Sequence, residues 1–517
     1  MRLGIDFGTT RTVIAAVREG RYPVASFQTP EGFVEFLPGL ASVEREGVRF
    51  GTEADTHQSP TGELHGLVRS VKETVTGLAP DETVCKVQDA DVSALDLVTD
   101  YLVYVRRMLV SHSNLDIDPE EPLEAMVAVP AHASTRQRYL TIEAFSRAGF
   151  SVLGLLNEPT AAAIEFARHT LSALSARSPK RYVVVYDLGG GTFDAAAVSL
   201  IDRRFELIGS EGISRLGGND FDEIIAERAL STVGIQRREL SSTATSHLLE
   251  RCRIAKEGLT ATSRRLLVDT SHVLPHGPEQ VVLDLGPIYD ACEPLIERTL
   301  LHCDRLFRDL RMRGIDPDNS RELGAVYLVG GSVLFPAVQR ALRRKYGRKV
   351  QLAPQPHATT AIGLSIAADD EAGIFVREAP TRHFGVWRES DAGREKVFDS
   401  IIEKRSDVRV DGPLRVVRTY FPAHTVGLLR FVECTHLDAG RQPTGDVTPW
   451  ENVLFPYDPA LEHVADLGSH MQERGADVLG QEIVETYEYS TTGMIRVRIE
   501  NKTAGYKRDY VLGRGAA

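Results

Sequence analysis

The chain is 517 residues long with 42% hydrophobic and 26% charged residues, an ordinary globular composition with apolar material for about two or three domain cores. Its formal net charge of -12 argues against nucleic acid or an anionic membrane as partner, because neutralising phosphates takes a surplus of Lys and Arg. Five scattered cysteines without CxxC spacing argue against a disulfide framework or a zinc site. No run approaches the roughly 20 apolar residues of a membrane span, and no signal peptide is visible ahead of the strand pattern at residues 3–5, so a cytoplasmic setting is expected.

From the N-terminus to residue 368, short apolar runs ending in glycine turns alternate with helical patterns, which predicts an α/β domain over 1–368. The first run is Gly4-Ile5-Asp6-Phe7-Gly8-Thr9-Thr10, with an Asp at the strand end just before a glycine turn. Leu97, Tyr101, Tyr104, Val105, Met108 and Leu109 then recur at helical spacing and predict one core-facing stripe. A second strand-turn-strand element, Val184 to Asp194, reads VVYDLGGGTFD and places Asp187 before Gly189, Gly190, Gly191 and Thr192. Gly217-Gly218-Asn219-Asp220 opens another helical segment, and Gly330-Gly331-Ser332 follows the apolar run Ala325 to Val329. The basic run Arg343, Arg344, Lys345, Arg348 and Lys349 reads as a solvated helix end, where cations are favoured.

After Asp369 to Gly373 the texture changes to period-two alternation, which places a linker at 369–382 and a β-rich domain at 383–517. Residues 440–480 carry Pro443, Pro449, Pro456 and Pro459 without clear periodicity and are expected to be loop. Val484 to Tyr489, the alternating Ile495, Val497 and Ile499, and Tyr506 to Leu512 form an expected three-strand meander.

The two Asp-glycine turns carry the chemistry. Glycine lets backbone N–H groups approach an anion closely, and Thr9, Thr10 and Thr192 add hydroxyl donors. An Asp beside such a turn would repel phosphate unless Mg²⁺, usually through its waters, lay between them. A matched pair of such turns suggests a clamp on ATP, and the absence of GxxxxGK[ST] excludes a P-loop as the explanation. The turns at Gly217-Gly218-Asn219 and Gly330-Gly331-Ser332 could add backbone N–H groups toward phosphate and a close approach to a flat ligand.

These residues resemble the seventy-kilodalton DnaK-type heat-shock chaperones, within the superfamily shared with actin and sugar kinases. The likeness rests on GIDFGTT, VRSVKETVTG around Lys72, VAVPAHAS at Val127 to Ser134, NEPTAAAIEF at Asn157 to Phe166, DLGGGTFD, LGGNDFD at Leu216 to Asp222, and LVGGSVLFP at Leu328 to Pro336, all in family order. The resemblance implies a two-lobed actin-like ATPase with duplicated ribonuclease-H-like cores, followed by a β-sandwich-like domain for extended peptides. Carried over residue by residue, Asp6 and Asp187 would hold hydrated Mg²⁺, Lys72 would position the attacking water, and Glu158, Thr192 and Asp194 would complete the water and phosphate network. Gly8, Thr9, Thr10, Gly189, Gly190, Gly191, Gly217, Gly218, Asn219, Gly330, Gly331 and Ser332 would cradle ATP or ADP, and Lys256 would contact adenosine. Pro130 and Arg138 match the family's interdomain relay. Pro159 fits the first helical position and leaves Glu158 at a helix mouth.

Some positions depart from the family pattern. Leu334 stands where an adenine-stacking Arg is usual, and His357 replaces an acidic residue after Pro356. Gly154 stands where an Arg that meets J-domain partners is typical, although Asn157 and Thr160 are kept, which puts a J-domain co-chaperone in doubt. The linker reads Ile374-Phe375-Val376-Arg377-Glu378 instead of an acidic-flanked leucine run, and no helical lid is expected after the last strand. The expected function is a slow ATPase that binds polypeptide clients or a dedicated protein partner under nucleotide control. The alternatives are an ATP-gated scaffold with little hydrolysis and a small-molecule kinase of the same superfamily.

Overall fold

Burial of both faces dictates the first strand. In Arg2–Phe7, Leu3, Gly4 and Ile5 are all buried, which a sheet covered on both sides requires. A computed structural model describes residues 1–29, 32–44, 47–54, 66–87, 90–171, 180–274, 277–390, 395–404, 406, 413–470, 478–490 and 492–511. The chain divides into two units: Met1–Leu78 with Glu82–Ala131 and Ala144–Val376, and Ala79–Asp81 with His132–Glu143 and Arg377–Ala517.

The first unit holds two larger sheets. One has the order Ser151–Asn157, Glu124–Val129, Arg2–Phe7, Arg11–Ala16, Leu37–Pro38. The other has the order Val350–Leu352, Leu323–Val329, Tyr182–Leu188, Phe193–Ser199, Arg204–Ile213, Phe375–Arg377. Each Asp-bearing strand, Arg2–Phe7 and Tyr182–Leu188, has its hairpin partner antiparallel on one side and a parallel neighbour on the other. The same local arrangement therefore presents a glycine turn twice.

The predicted helical stripe lies on Ala94–His112, where Leu97, Tyr101, Tyr104, Val105, Met108 and Leu109 are all buried. Ser93 starts that helix by accepting a hydrogen bond from the Asp96 N–H at 3.1 Å. Helix Thr359–Ala368 is apolar almost all round, and it packs on both Glu158–Leu171 and Arg2–Phe7. Glycine allows that closeness: a Cβ on Gly363 would lie 1.8 Å from Ala161 O, and one on Gly4 would lie 2.2 Å from Ser365 N. The basic run ends helix Pro336–Tyr346, with Arg344 paired to Glu293 at 3.1 Å and Lys345 to Asp304 at 2.7 Å. Among the described residues no helix is long and apolar enough to cross a membrane.

The second unit contains two four-stranded antiparallel sheets. One runs Glu395–Ile402, His383–Ser390, Val426–Leu437, Pro443–Pro456, and the other Leu414–Tyr420, Ile483–Tyr489, Ile495–Asn501, Tyr506–Val511. Their buried residues, including Phe384, Phe431, Phe455, Tyr487 and Val497, form one cluster. The expected meander is present, with Ile495, Val497 and Ile499 buried; Thr491 in its first turn and Leu512 lie outside the described residues. The expected loop at 440–480 is a strand over part of its length: Pro443–Pro456 has 14 residues. It is an edge strand, so prolines without an N–H need not break a ladder on the open side, and Pro449 falls where the register shifts. That edge placement is invisible to a local pattern.

Residues 132–143 belong to this unit because Glu433 accepts hydrogen bonds from the Thr135 N–H at 3.1 Å and the Thr135 hydroxyl, while Arg382 donates to His132 O at 3.2 Å. Between the sheets sits fully buried Glu485, which accepts from Arg388 Nη2, Tyr420 Oη and Tyr487 Oη, each at 2.6 Å. Removing one partner of a buried pair leaves an uncompensated charge. Arg388→Met should therefore lower unfolding stability by about 3 kcal/mol. Urea denaturation monitored by circular dichroism measures this, and an unchanged midpoint would contradict it.

Candidate functional site

Both glycine turns are closed by their own backbone. Gly8 N donates to Arg11 O at 3.0 Å, and Gly189 N donates to Thr192 O at 3.0 Å. The carbonyls of the second turn are taken up by the Leu216–Asn219 segment: Gly218 N reaches Gly189 O at 3.0 Å, Asn219 N reaches Gly190 O at 2.7 Å, and Leu216 N reaches Gly191 O at 3.1 Å. A trans peptide points its N–H opposite to its C=O, so the following amides face away from that segment. The Ser332 hydroxyl also donates to Gly189 O, at 2.8 Å. Three separate segments thus brace one another.

The two glycine turns also meet directly. A Cβ on Gly190 would lie 2.4 Å from Thr10 Cγ2, and one on Gly191 would lie 3.0 Å from Thr9 Cγ2. Gly330, at φ +85°, passes so close to Asp187 that a Cβ would lie 2.5 Å from its Oδ1. At Gly190 and Gly330 a side chain would force a neighbouring group to move, and at Gly191 it would press on the Thr9 methyl.

Asp6, Gly8, Thr9, Thr10, Lys72, Glu158, Asp187, Gly189, Gly190, Thr192, Gly218, Asn219, Lys256, Gly330, Gly331 and Ser332 line one cavity. Three of the expected residues sit behind it. Asp194 is buried and faces Asp187 across the hairpin, while Gly191 and Gly217 pack against the turns, with Gly217 closest to Gly190 O. Pro130 and Arg138 do not line the cavity. Pro130 follows strand Glu124–Val129, and Arg138 is buried among the residues of the second unit.

Charge inside the cavity is concentrated. Lys72 Nζ pairs with Glu158 Oε1 at 2.8 Å, with both side chains mostly buried. Asp6 is pushed up to about 7, first by burial and then by the Glu158 charge. Asp187 and Asp194 are held well above the usual carboxylate range for the same two reasons in the same order. Burial alone would lower Lys72, but Glu158, Asp6 and Asp187 outweigh it and raise the ammonium above its ordinary value. Several carboxylates share one lysine, so the site favours a further cation.

The donor set suits Mg²⁺. That ion is usually held by one or two carboxylates, its own waters and substrate phosphates instead of an all-protein cage. Asp6 and Asp187 open onto the cavity, and among the described residues no cluster of three or more His, Cys, Asp or Glu forms a dedicated metal cage.

Several lining groups carried no signal in the sequence pattern. Arg11 pairs with Glu257, and Arg253 Nη1 also donates to Glu257, at 3.0 Å. Fully buried Asp222 binds Lys256 Nζ at 2.7 Å and Arg69 Nη2 at 2.9 Å, and Lys256 also donates to Gly218 O at 2.5 Å. Lys256, expected to touch adenosine, lines the cavity while also engaged with Asp222 and Gly218 O. Glu73 accepts from Asn219 Nδ2 at 2.7 Å. Leu334 and His357, two of the departures, both line the cavity, and His357 Nε2 lies 3.5 Å from Glu35 Oε2.

Comparison with known proteins matches residues 113–378 to a family model described as Hsp70 protein. The Chaperone protein HscA homolog of Burkholderia ambifaria is 31% identical over 384 residues, 72% of this chain and 59% of that protein. The Chaperone protein HscA homolog of Azotobacter vinelandii is 30% identical over 401 residues, 72% of this chain and 58% of that protein. The chain thus matches less than two thirds of the length of these relatives.

The Asp222 pairings can be tested without any ligand. Asp222→Ala leaves Lys256 and Arg69 without their shared carboxylate and should cost about 3 kcal/mol of folding stability. Chemical denaturation checks this, and a loss below about 1 kcal/mol would show that the pairings contribute little.

Proposed function

The chain belongs to the Hsp70 protein family, and on that premise we propose that it binds Mg-ATP in this cavity, hydrolyses it slowly, and couples the cycle to holding a polypeptide client or a dedicated protein partner. The observation that carries the proposal is the convergence of Asp6, Lys72, Glu158 and Asp187 with two glycine turns on one cavity. The relatives are named chaperone proteins, which supports the client-holding part of the reading.

Phosphoryl transfer to water leaves little covalent work to the protein, so positioning and charge compensation account for the rate. In the proposed scheme the amides and hydroxyls of Gly8 to Thr10 and of Gly189 to Thr192 hold the phosphates, and Gly218, Asn219, Gly330, Gly331 and Ser332 frame the remainder of the nucleotide. Lys72 leaves Glu158 in part to orient the attacking water, and Glu158, Thr192 and Asp194 order the hydrogen bonds around it. Asp6 and Asp187 would hold hydrated Mg²⁺, which supplies charge neutralisation at the β- and γ-phosphates. Leu334 and Leu259 offer an apolar wall to a flat base, and Lys256, which lines the same cavity, would contact the adenosine.

The finer architecture belongs to the same proposal. The repeated sheet arrangement is read as two lobes with duplicated ribonuclease-H-like cores of an actin-like ATPase domain over 1–368, joined through 369–382 to a β-sandwich-like client domain over 383–517. Pro130 and Arg138 would relay nucleotide state. The net charge of -12 supports a protein that engages neither nucleic acid nor an anionic membrane, and a cytoplasmic setting belongs to the same proposal.

Calorimetry with Mg-ATP and single-turnover hydrolysis test the proposal together. The wild type should release heat and turn over slowly, and Lys72→Ala should keep binding while losing about 100-fold in rate. Absence of heat would refute the nucleotide site, and undiminished turnover in Lys72→Ala would refute the role of the lysine.

A further inference from the structure

Arg11 is the residue immediately after the Thr9-Thr10 pair, and its backbone carbonyl closes the first glycine turn. Its side chain lines the cavity, with the guanidinium carbon 4.1 Å from the centroid of the Phe36 ring. One guanidinium nitrogen, Nη2, donates to Glu257 Oε2, and the buried Nε has no hydrogen-bond partner. A mostly buried cation with an unfilled donor therefore stands on the wall of the cavity proposed to hold a nucleotide.

Glu257 does not depend on Arg11. Its other oxygen accepts from Arg253 Nη1 at 3.0 Å, and Arg253 is itself anchored by Glu250 through Nε at 2.9 Å and through Nη2. Arg11 is thus a second, surplus partner to a carboxylate that already has one. A guanidinium prefers the bidentate geometry of a phosphate, and a polyphosphate carries more charge than one shared carboxylate. Phe36 can keep the planar group stacked while its fork turns.

We propose that Arg11 is a phosphate-positioning residue parked on Glu257, and that a bound nucleotide polyphosphate draws it off. This rests on the nucleotide-site proposal and adds to it a competition: Glu257 opposes binding by holding Arg11 back. Arg11 and Glu257 variants should therefore act in opposite directions, which a shared structural role cannot produce.

The experiment titrates ATP, ADP and adenosine, with Mg²⁺ present, into the full chain and its variants by calorimetry. Arg11→Gln should weaken ATP and ADP by about tenfold and leave adenosine unchanged. Glu257→Gln should tighten ATP by severalfold, and that gain should vanish in the double variant. If Arg11→Gln does not fold, the sign of the Glu257→Gln effect still decides. Weaker or unchanged ATP binding in Glu257→Gln, or a parallel loss of adenosine in Arg11→Gln, would overturn the inference while leaving the nucleotide site intact. A wild type that binds no nucleotide would overturn both.

Discussion

The ion pair of Lys72 and Glu158 is the interaction on which the rest of the cavity depends. It neutralises Glu158, yet that carboxylate is still felt by Asp6, Asp187 and Asp194, and burial keeps all three above their ordinary range. Such an assembly stores an unfavourable charge arrangement that a ligand can relieve. A cation held near Asp6 and Asp187 would lower the cost of ionising both. Burial and the Glu158 charge thus favour the protonated forms of Asp6, Asp187 and Asp194 until a cation compensates them.

Close backbone packing makes that assembly possible. Gly190, Gly217 and Gly330 each occupy a place where a Cβ would collide with a neighbouring turn or with Asp187. Gly4 and Gly363 do the same where strands and helices of the first unit cross. The glycine turns are therefore packed directly on one another and linked by backbone hydrogen bonds. The charged row of Arg11, Glu257, Arg253, Glu250, Arg69, Asp222 and Lys256 runs beside these turns and adds polar braces to the steric ones.

The second unit follows a different logic. Apolar residues from both sheets form its core, but Glu485, Arg388, Asp399, Tyr420 and Tyr457 extend a saturated polar network inside it. Such a network adds specificity of packing more readily than net stability, because each member is costly without its partners. The prolines of Pro443–Pro456 suit an exposed sheet edge, where a missing donor resists unwanted strand pairing.

The amino-acid sequence by itself determined the two Asp-glycine turns, the helix at Ala94–His112 and the final meander, because each rests on local spacing: a glycine turn, a 3.6-residue stripe or a two-residue alternation. The family was legible as a resemblance, through motifs that stand in family order along the chain. It also named most of the cavity lining. Only the tertiary structure decided that Arg11 faces Glu257, that Arg69 and Lys256 share Asp222, that residues 132–143 join the C-terminal unit, and that a proline-bearing stretch is an edge strand. Those outcomes depend on which distant segments are brought together, some more than 200 residues apart in the chain, and no periodicity within a short window encodes such a pairing.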